Sequence, residues 1–178
     1  MLIETARLRL RTWNESDRDA FADLNADPVV MADLGGPITR DLSDAKLDRY
    51  VAAHGRDGYG RLLVETSSGH FLGYCGVMRA AADHPVGSHD EIGWRLHQSA
   101  WGNGYASEAA RAALVDAFRR AKLREILTYT APDNVRSQAV MDRLHLRREE
   151  SRDFTHDYGL GSWRGLVWSA TPALLARW

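Results

Sequence analysis

The residues best suited to chemistry surround a glycine-containing turn in the middle of the chain. Gly102 and Gly104 flank Asn103, after a predicted strand and before a helix predicted over 105–121. Glycines let the backbone approach a ligand closely. The free amide groups of a helix's first turn, with the positive end of its dipole, form an anion site. The turn therefore predicts a phosphate or pyrophosphate site, although glycines at a helix start are also common as simple turn residues.

Two well-known phosphate-binding patterns do not fit this turn. No Gly-Lys-Ser/Thr sequence follows it, so a P-loop is excluded. The dinucleotide-binding fingerprint fits poorly, because Ser107 stands where the third glycine or alanine belongs. In addition, residues 98–101 separate the predicted strand from the turn.

A carboxylate near this turn suits proton transfer. Glu91 lies on the strand predicted over 90–97, and a carboxylate can accept a proton from an ammonium group directly or through water. Because side chains alternate along a regular strand, we expect Asp90 on the opposite face unless a bulge intervenes. The alternative interpretation of Glu91 is a strand-end carboxylate that is solvated or ion-paired.

Nucleophilic and metal chemistry have little support in the sequence. Cys75 is the single cysteine, so no intrachain disulfide can form. No activating base adjoins it in its apolar run, which predicts a buried packing residue. His97, His145 and His156 lack metal-ligand spacing, so we expect no metal site. We expect His145 to end a helix, because histidine tolerates a positive φ better than most residues.

The elements that must position these residues alternate between strand and helix patterns. Strands are predicted over 2–12, 61–66, 70–79, 90–97, 125–130, 146–154 and 163–169, and helices over 15–25, from Ser43, over 105–121 and over 134–144, with a helical turn at 28–34. This order predicts one α+β domain, residues 1–178, around a mixed sheet.

Composition limits the classes of partner. The chain has 178 residues, 44% of them hydrophobic, which suits one folded domain. Its formal net charge of −1 argues against a nucleic acid held on a broad basic surface. No apolar run reaches the length of a membrane span, and the N-terminus is too charged for a signal peptide. We therefore expect a cytoplasmic protein, monomer or homodimer, with neither a nucleic acid nor a membrane as partner.

Three segments in order resemble the GCN5-related N-acetyltransferase (GNAT) superfamily. The stretch 101–106 is similar to its acyl-CoA pyrophosphate loop, Gln/Arg-x-x-Gly-x-Gly/Ala, in which Gly104 and Ala106 match while Trp101 departs from the pattern. Residues 91–96 resemble the family's fourth strand and residues 131–144 its later strand-to-helix segment. The beginning of the chain, 5–11, is similar to the branch that includes the ribosomal-protein N-terminal acetyltransferases RimJ and RimL.

The resemblance implies a mixed, mostly antiparallel sheet flanked by helices and splayed between strands 4 and 5, with acyl-CoA in the gap. It implies that the backbone of Trp94, Arg95 and Leu96 binds the pantetheine arm. Asn134 would reach that arm from the opposite wall, with Ser137 near the sulfur. The residues implied for the pyrophosphate are Trp101, Gly102, Asn103, Gly104, Tyr105, Ala106 and Ser107.

The resemblance also implies an activity, namely transfer of the acetyl group of acetyl-CoA to a primary amine by direct attack on the thioester. Glu91 stands at the family's base position. Met141 stands where many members have the tyrosine that protonates the thiolate, so Ser137 is the replacement by position, with Tyr105 and Tyr129 as further candidates. Alternatively, Asn134 caps its helix, a role that can coexist with ligand contact, and Ser137 is an ordinary helix-start hydroxyl.

Two rival functions remain open at this stage. One is a catalytically silent acyl-CoA-binding regulatory module, and the other is a transferase of a longer acyl group. The acceptor, a protein or peptide N-terminus or a small amine, is not identified. In such folds specificity comes from the segment around 28–58 and the loop after Phe154, and neither carries an interpretable motif.

Overall fold

A computed structural model describes residues 1–157, 159 and 161–178. Its strands form one sheet in the order β1-β2-β3-β4-β5-β6-β9-β7, with β8 paired to β9. Every pair is antiparallel except β5 with β6. This confirms the mixed, mostly antiparallel sheet. The strands are β1 (Leu2–Glu4), β2 (Leu8–Arg11), β3 (Arg61–Thr66), β4 (Phe71–Arg79), β5 (Asp90–Leu96), β6 (Ile126–Thr130), β7 (Arg147–Arg148), β8 (Phe154–Asp157) and β9 (Ser162–Ala170).

Four α-helices flank the sheet in the part of the chain that the structure describes. They are α1 (Arg18–Ala26), α2 (Arg40–Asp57), α3 (Tyr105–Arg119) and α4 (Val135–Arg143). Short 3₁₀ turns cover Glu15–Asp17, Ala32–Leu34, Gln98–Ala100, Glu150–Arg152 and Pro172–Ala176. Among the described helices, none is long and apolar enough to cross a membrane.

Two predicted strands are each broken in two. Residues 2–12 form a hairpin, because Thr5 donates from its backbone amide to the Leu8 carbonyl and closes a tight turn between β1 and β2. Residues 146–154 contain β7, a 3₁₀ turn and the start of β8. There the Asp153 carboxylate accepts a hydrogen bond from the Val167 amide of β9 at 3.0 Å. A side-chain oxygen thus takes the place of the backbone carbonyl that would pair with β9 in a continuous strand.

Helices α3 and α4 cover one face of the sheet, and α1 and α2 cover the other. The first core includes Ile92, Leu114 and Met141, each at most 1% exposed. The second core is built around Phe21 and Tyr74. Burying an apolar side chain of this size stabilises the fold by roughly 1.5–3 kcal/mol. Cys75 is fully buried in the first core, which confirms that it is a packing residue.

The sheet opens between β5 and β6. In the described residues, these two strands have a single register pair, Glu91 with Leu127. Beyond that pair, β5 continues through Trp94 to Leu96 without a strand partner on its β6 side. The first predicted strand forms two strands, β1 and β2, so the predicted fourth and fifth strands are β5 and β6. The predicted splay between them is therefore confirmed.

Candidate functional site

A cleft of about 460 Å³ lies at the splay, between the first turns of α3 and α4. Most of the residues predicted to bind a ligand line it. Two predicted residues do not: Asn103 and Glu91. The predicted residues that line the cleft are Trp94, Arg95, Leu96, Trp101, Gly102, Gly104, Tyr105, Ala106, Ser107, Asn134 and Ser137.

The glycine turn is shaped by its backbone dihedral angles. Gly102 and Gly104 both have φ of 77°, in the left-handed region that glycine tolerates best. A Cβ added at Gly104 would meet its nearest neighbour, the Arg7 guanidinium, at 3.6 Å, an ordinary contact. The glycine at 104 is therefore required by conformation rather than by lack of space.

The first turn of α3 is prepared for an anion. Its first intrahelical bond runs from the Glu108 amide to the Gly104 carbonyl, which leaves the amides of Tyr105, Ala106 and Ser107 without an intrahelical acceptor. The Ser107 hydroxyl lines the cleft and is buried without a hydrogen-bond partner in the described residues. Unpaired donors that converge on one wall suit a phosphate group.

The β1–β2 turn supports the glycine turn from behind. Glu108 on α3 accepts a bond from the Thr5 hydroxyl at 2.6 Å and from Arg7 Nε at 2.7 Å. Arg7 also donates to the Asn103 carbonyl at 3.0 Å and lies over the Tyr105 ring. Burial raises the pKa of Glu108, but the bonds from Thr5 and Arg7 outweigh it and hold that pKa below the usual range. No role for Thr5, Arg7 or Glu108 was predicted from the sequence.

Asn103 turns away from the cleft. Its side-chain amide donates to the carbonyls of Ala100 and Trp101, so it braces the turn. The prediction that Asn103 contacts the ligand therefore has no support from its side chain, while its backbone remains part of the turn.

Arginines on α4 were missed by sequence reasoning. Arg136 and Arg143 both line the cleft, and the Arg136 guanidinium lies 3.9 Å from the centre of the Trp101 ring. Residues 136, 140 and 143 share one helix face by spacing, which is the signal that reveals them. A cation stacked on Trp101 places positive charge where the family's loop usually has glutamine or arginine.

Asn134 caps α4 and also contacts a residue far away in sequence. Its side-chain oxygen accepts from the Ser137 amide at 3.1 Å, and its amide nitrogen donates to the Asp33 carboxylate at 2.7 Å. The capping interpretation is therefore confirmed. Asp33 and Val30, which also line the cleft, were not predicted.

Glu91 is paired with a buried cation. Its carboxylate lies 2.9 Å from a guanidinium nitrogen of Arg61, and Arg61 also donates to the Glu91 carbonyl at 3.0 Å. Burial opposes the charge of Arg61, but Glu91 and other groups outweigh burial and raise the pKa of the guanidinium. Asp90 instead accepts from the Tyr59 hydroxyl at 2.6 Å. The regular β4–β5 register places Asp90 and Glu91 on opposite faces, as predicted.

The candidates for protonating a leaving group differ in position. Ser137 and Tyr105 line the cleft. Tyr129 does not; its ring packs against His84 at 4.8 Å and Phe154 at 5.3 Å. Met141 is 1% exposed within the core. At the end of the same helix His145 has φ of 56°, which confirms its predicted helix-end role.

Comparisons with known proteins agree on one family. Residues 7–147 match the family described as Acetyltransferase (GNAT) domain. The protein YkkB of Bacillus subtilis (strain 168) is 33% identical over 147 residues, 79% of this chain and 81% of YkkB. The solved acetyltransferase from Agrobacterium tumefaciens str. C58 is 26% identical, with a TM-score of 0.81 over 96% of this chain and 94% of that one.

A further solved structure shares the fold of this chain. The ribosomal L7/L12 alpha-N-protein acetyltransferase RimL is 20% identical, with a TM-score of 0.74, and the match covers 96% of this chain and 94% of that chain. At this identity the likeness concerns the fold. The match to the family model confirms the resemblance to the GNAT superfamily that the sequence indicated.

Proposed function

Because this chain belongs to the GNAT acetyltransferase family, we propose that it transfers the acetyl group of acetyl-CoA to a primary amine. The observation that carries the proposal is the cleft beside the splay. There the free amides of the first turn of α3 and the unpaired Ser107 hydroxyl converge. These groups suit a pyrophosphate, and the open edge of β5 suits an amide-containing arm.

The residues present fit an acyl-CoA. The amides of Gly104 to Ser107 would hold the pyrophosphate, and Arg136 and Arg143 would add positive charge from α4. The unpaired stretch of β5 from Trp94 to Leu96 would bind the pantetheine arm through its backbone. When bound, acetyl-CoA supplies an acyl group activated as a thioester.

Proton transfer is assigned to two residues of this chain. A lysine amine has a pKa of about 10.4 and an α-amine about 8, so the acceptor must lose a proton before it attacks. Glu91, whose carboxylate lies beside Arg61, would take that proton directly or through water. Ser137, on the cleft wall, would give a proton to the departing thiolate.

One observation favours the silent binding module as a second candidate. The Glu91 carboxylate already has a strong partner in Arg61, and Met141, at the family's tyrosine position, is in the core. On this reading Glu91 stabilises Arg61 and transfers no proton. The cleft would still bind acyl-CoA, so binding alone does not separate the two functions.

The test combines binding with turnover. Calorimetry should show that acetyl-CoA binds, and a thiol-release screen against peptide N-termini, amino acids and small amines should find an acceptor. Acyl-CoAs of increasing chain length in the same screen test the transferase of a longer acyl group. Binding without thiol release from any acceptor would favour the silent module, and absence of binding would reject the proposal.

A further inference from the structure

The side chain of Arg61 reaches from β3 across β4 to β5. Its Nη1 atom donates to the Gly76 carbonyl on β4 and to the Glu91 carbonyl on β5, the latter at 3.0 Å. Its Nη2 atom lies 2.9 Å from the Glu91 carboxylate. One nitrogen of the guanidinium therefore binds the backbone of two strands while the other faces a carboxylate, which the fork of donors on an arginine permits.

Arg61 is fixed in this position by groups other than the Glu91 side chain. Its own side chain is buried, and the Trp13 indole donates to its backbone carbonyl at 2.7 Å. Gly93 leaves the space that the guanidinium occupies, because a Cβ added there would lie 2.8 Å from Nη2. The backbone and the guanidinium of Arg61 are therefore both anchored.

The Glu91 carboxylate is far less constrained. Among the residues that the structure describes, Arg61 is its single ion-pair partner, and the oxygen nearest to Arg61 is Oε1. No described residue donates a hydrogen bond to Oε2, and the side chain is partly exposed. Without Arg61 the carboxylate could rotate, and its open oxygen would lose a fixed direction.

We infer that Arg61 is the positioning residue of the proton-accepting carboxylate, because it holds one oxygen of Glu91 and leaves the other open to the acceptor amine or its water. This inference rests on the proposed function. Arg61 does not line the cleft, so its effect on turnover passes through Glu91, and binding of acetyl-CoA does not depend on it. A reacting group displaced by about 1 Å can cost ~100-fold in rate.

The variant Arg61→Lys keeps the charge and removes the fork. A lysine has one nitrogen, which cannot bind the backbone carbonyls and the carboxylate in the geometry of two nitrogens. With acetyl-CoA and the most active amine of the thiol-release screen, kcat should fall ~10-fold while calorimetry shows unchanged acetyl-CoA affinity. Arg11→Lys is the matched control, since Arg11 on the neighbouring strand β2 forms ion pairs with Asp17 and Glu65. It should keep the wild-type kcat.

A double-mutant cycle separates positioning from a structural role. In a Glu91→Gln background, Arg61→Lys should cause no further loss of kcat, because no carboxylate is left to position. A structural role would lower kcat by the same factor in both backgrounds.

Gly93→Ala tests the same inference without changing any charge. Its methyl group would push the guanidinium aside, so kcat should fall ~3- to 10-fold with unchanged acetyl-CoA affinity. Gly55→Ala is the control, since Gly55 is an exposed residue of α2 with no atom within 4 Å of an added Cβ. It should turn over as the wild type does.

The inference is overturned if Arg61→Lys has a normal kcat, or if its loss is added in full to that of Glu91→Gln. If Arg61→Lys does not fold, a normal kcat in Gly93→Ala overturns it in the same way. In these cases the wild type is active and Glu91→Gln is slow. A wild type that releases no CoA to any acceptor would instead reject the proposed function, which makes the two failures distinguishable.

Discussion

The Glu91 carboxylate and the Arg61 guanidinium lie 2.9 Å apart on the face of the sheet that carries α1 and α2. Gly93 makes room for this pair, because a Cβ at that position would lie 2.8 Å from the guanidinium. Arg61 is 6% exposed at its side chain and Glu91 is 21% exposed. The pair therefore holds the Glu91 carboxylate in place at the one register position where the described residues of β5 and β6 are joined.

This relationship gives the first prediction. Glu91→Gln should lower the rate of acetyl transfer by ~100-fold or more near neutral pH, because the amide cannot accept the proton. The loss should shrink as the pH rises and more acceptor is already neutral. Rates measured from pH 6 to 10 check this. Asp90→Asn, on the opposite face beside Tyr59, should keep the wild-type profile. A Glu91→Gln enzyme with unchanged rate and profile would leave Glu91 as the counter-ion of Arg61 only.

The second prediction concerns the glycine turn. Gly104→Val should weaken acetyl-CoA binding by ~10-fold or more, because a β-branched residue is strained at φ of 77° and displaces the first-turn amides. Gly58→Val is a matched control, since Gly58 ends α2 at φ of 75° with no atom within 4 Å of an added Cβ. Calorimetry on both folded variants should show a loss of affinity at position 104 alone. Equal affinities would move the pyrophosphate away from this turn.

The third prediction concerns Ser137. Ser137→Ala should lower turnover ~10- to 100-fold with little change in acetyl-CoA affinity, because the hydroxyl acts on the leaving thiolate. A CoA-type thiol has a pKa near ~8.5, so protonation helps but is not indispensable. Steady-state kinetics with calorimetry separates these effects. Normal turnover would make Ser137 a helix-start residue and direct attention to Tyr105.

Replacing Met141 by the tyrosine that many family members have at this position should not restore the activity lost in Ser137→Ala. Met141 lies on α4 and is fully buried in the first core, so Met141→Tyr adds volume to a packed site. Overpacking of this kind destabilises by about 1–3 kcal/mol. We expect a lower midpoint of thermal unfolding and no recovery of the Ser137→Ala rate.

The fourth prediction concerns the cation above Trp101. Arg136→Gln should weaken acetyl-CoA binding by ~10-fold and reduce its dependence on salt, because one charge near the phosphates is lost. Arg119→Gln, an exposed arginine in the last turn of α3, should change neither. Titrations at low and high salt check both. An unchanged salt dependence would show that Arg136 only packs on Trp101.

Local features of the site were predictable from the sequence, and long-range pairings were not. The turn at Gly104 and the cap at Asn134 depend on neighbours within a few residues, so their residue types indicate them. Asp33 meets Asn134 across 101 positions, and Arg7 meets Glu108 across the same separation. Those contacts depend on how the strands are ordered and how the α1–α2 connection returns to the sheet, which no local pattern specifies.

The final prediction is a pH dependence at Glu108. Bonds from Thr5 and Arg7 hold the pKa of Glu108 below its ordinary value of 4.5 in the folded chain. A carboxyl with a depressed folded-state pKa stabilises the fold fully above its unfolded pKa and loses that contribution as the pH falls through the folded one. Glu108→Gln should therefore lower the free energy of unfolding near pH 7, and the difference from the wild type should shrink as the pH falls below about 4.5.

Urea unfolding between pH 3 and 7 measures this difference for Glu108→Gln. Glu4→Gln, an exposed carboxylate on β1, is the control and should follow the wild type throughout. Because Glu108 also anchors Arg7 under the glycine turn, acetyl-CoA affinity should fall several-fold in Glu108→Gln at pH 7. A difference in the free energy of unfolding that stays constant with pH would mean that ionisation of Glu108 does not stabilise the fold. Unchanged acetyl-CoA affinity would show that the glycine turn keeps its shape without the bonds of Glu108.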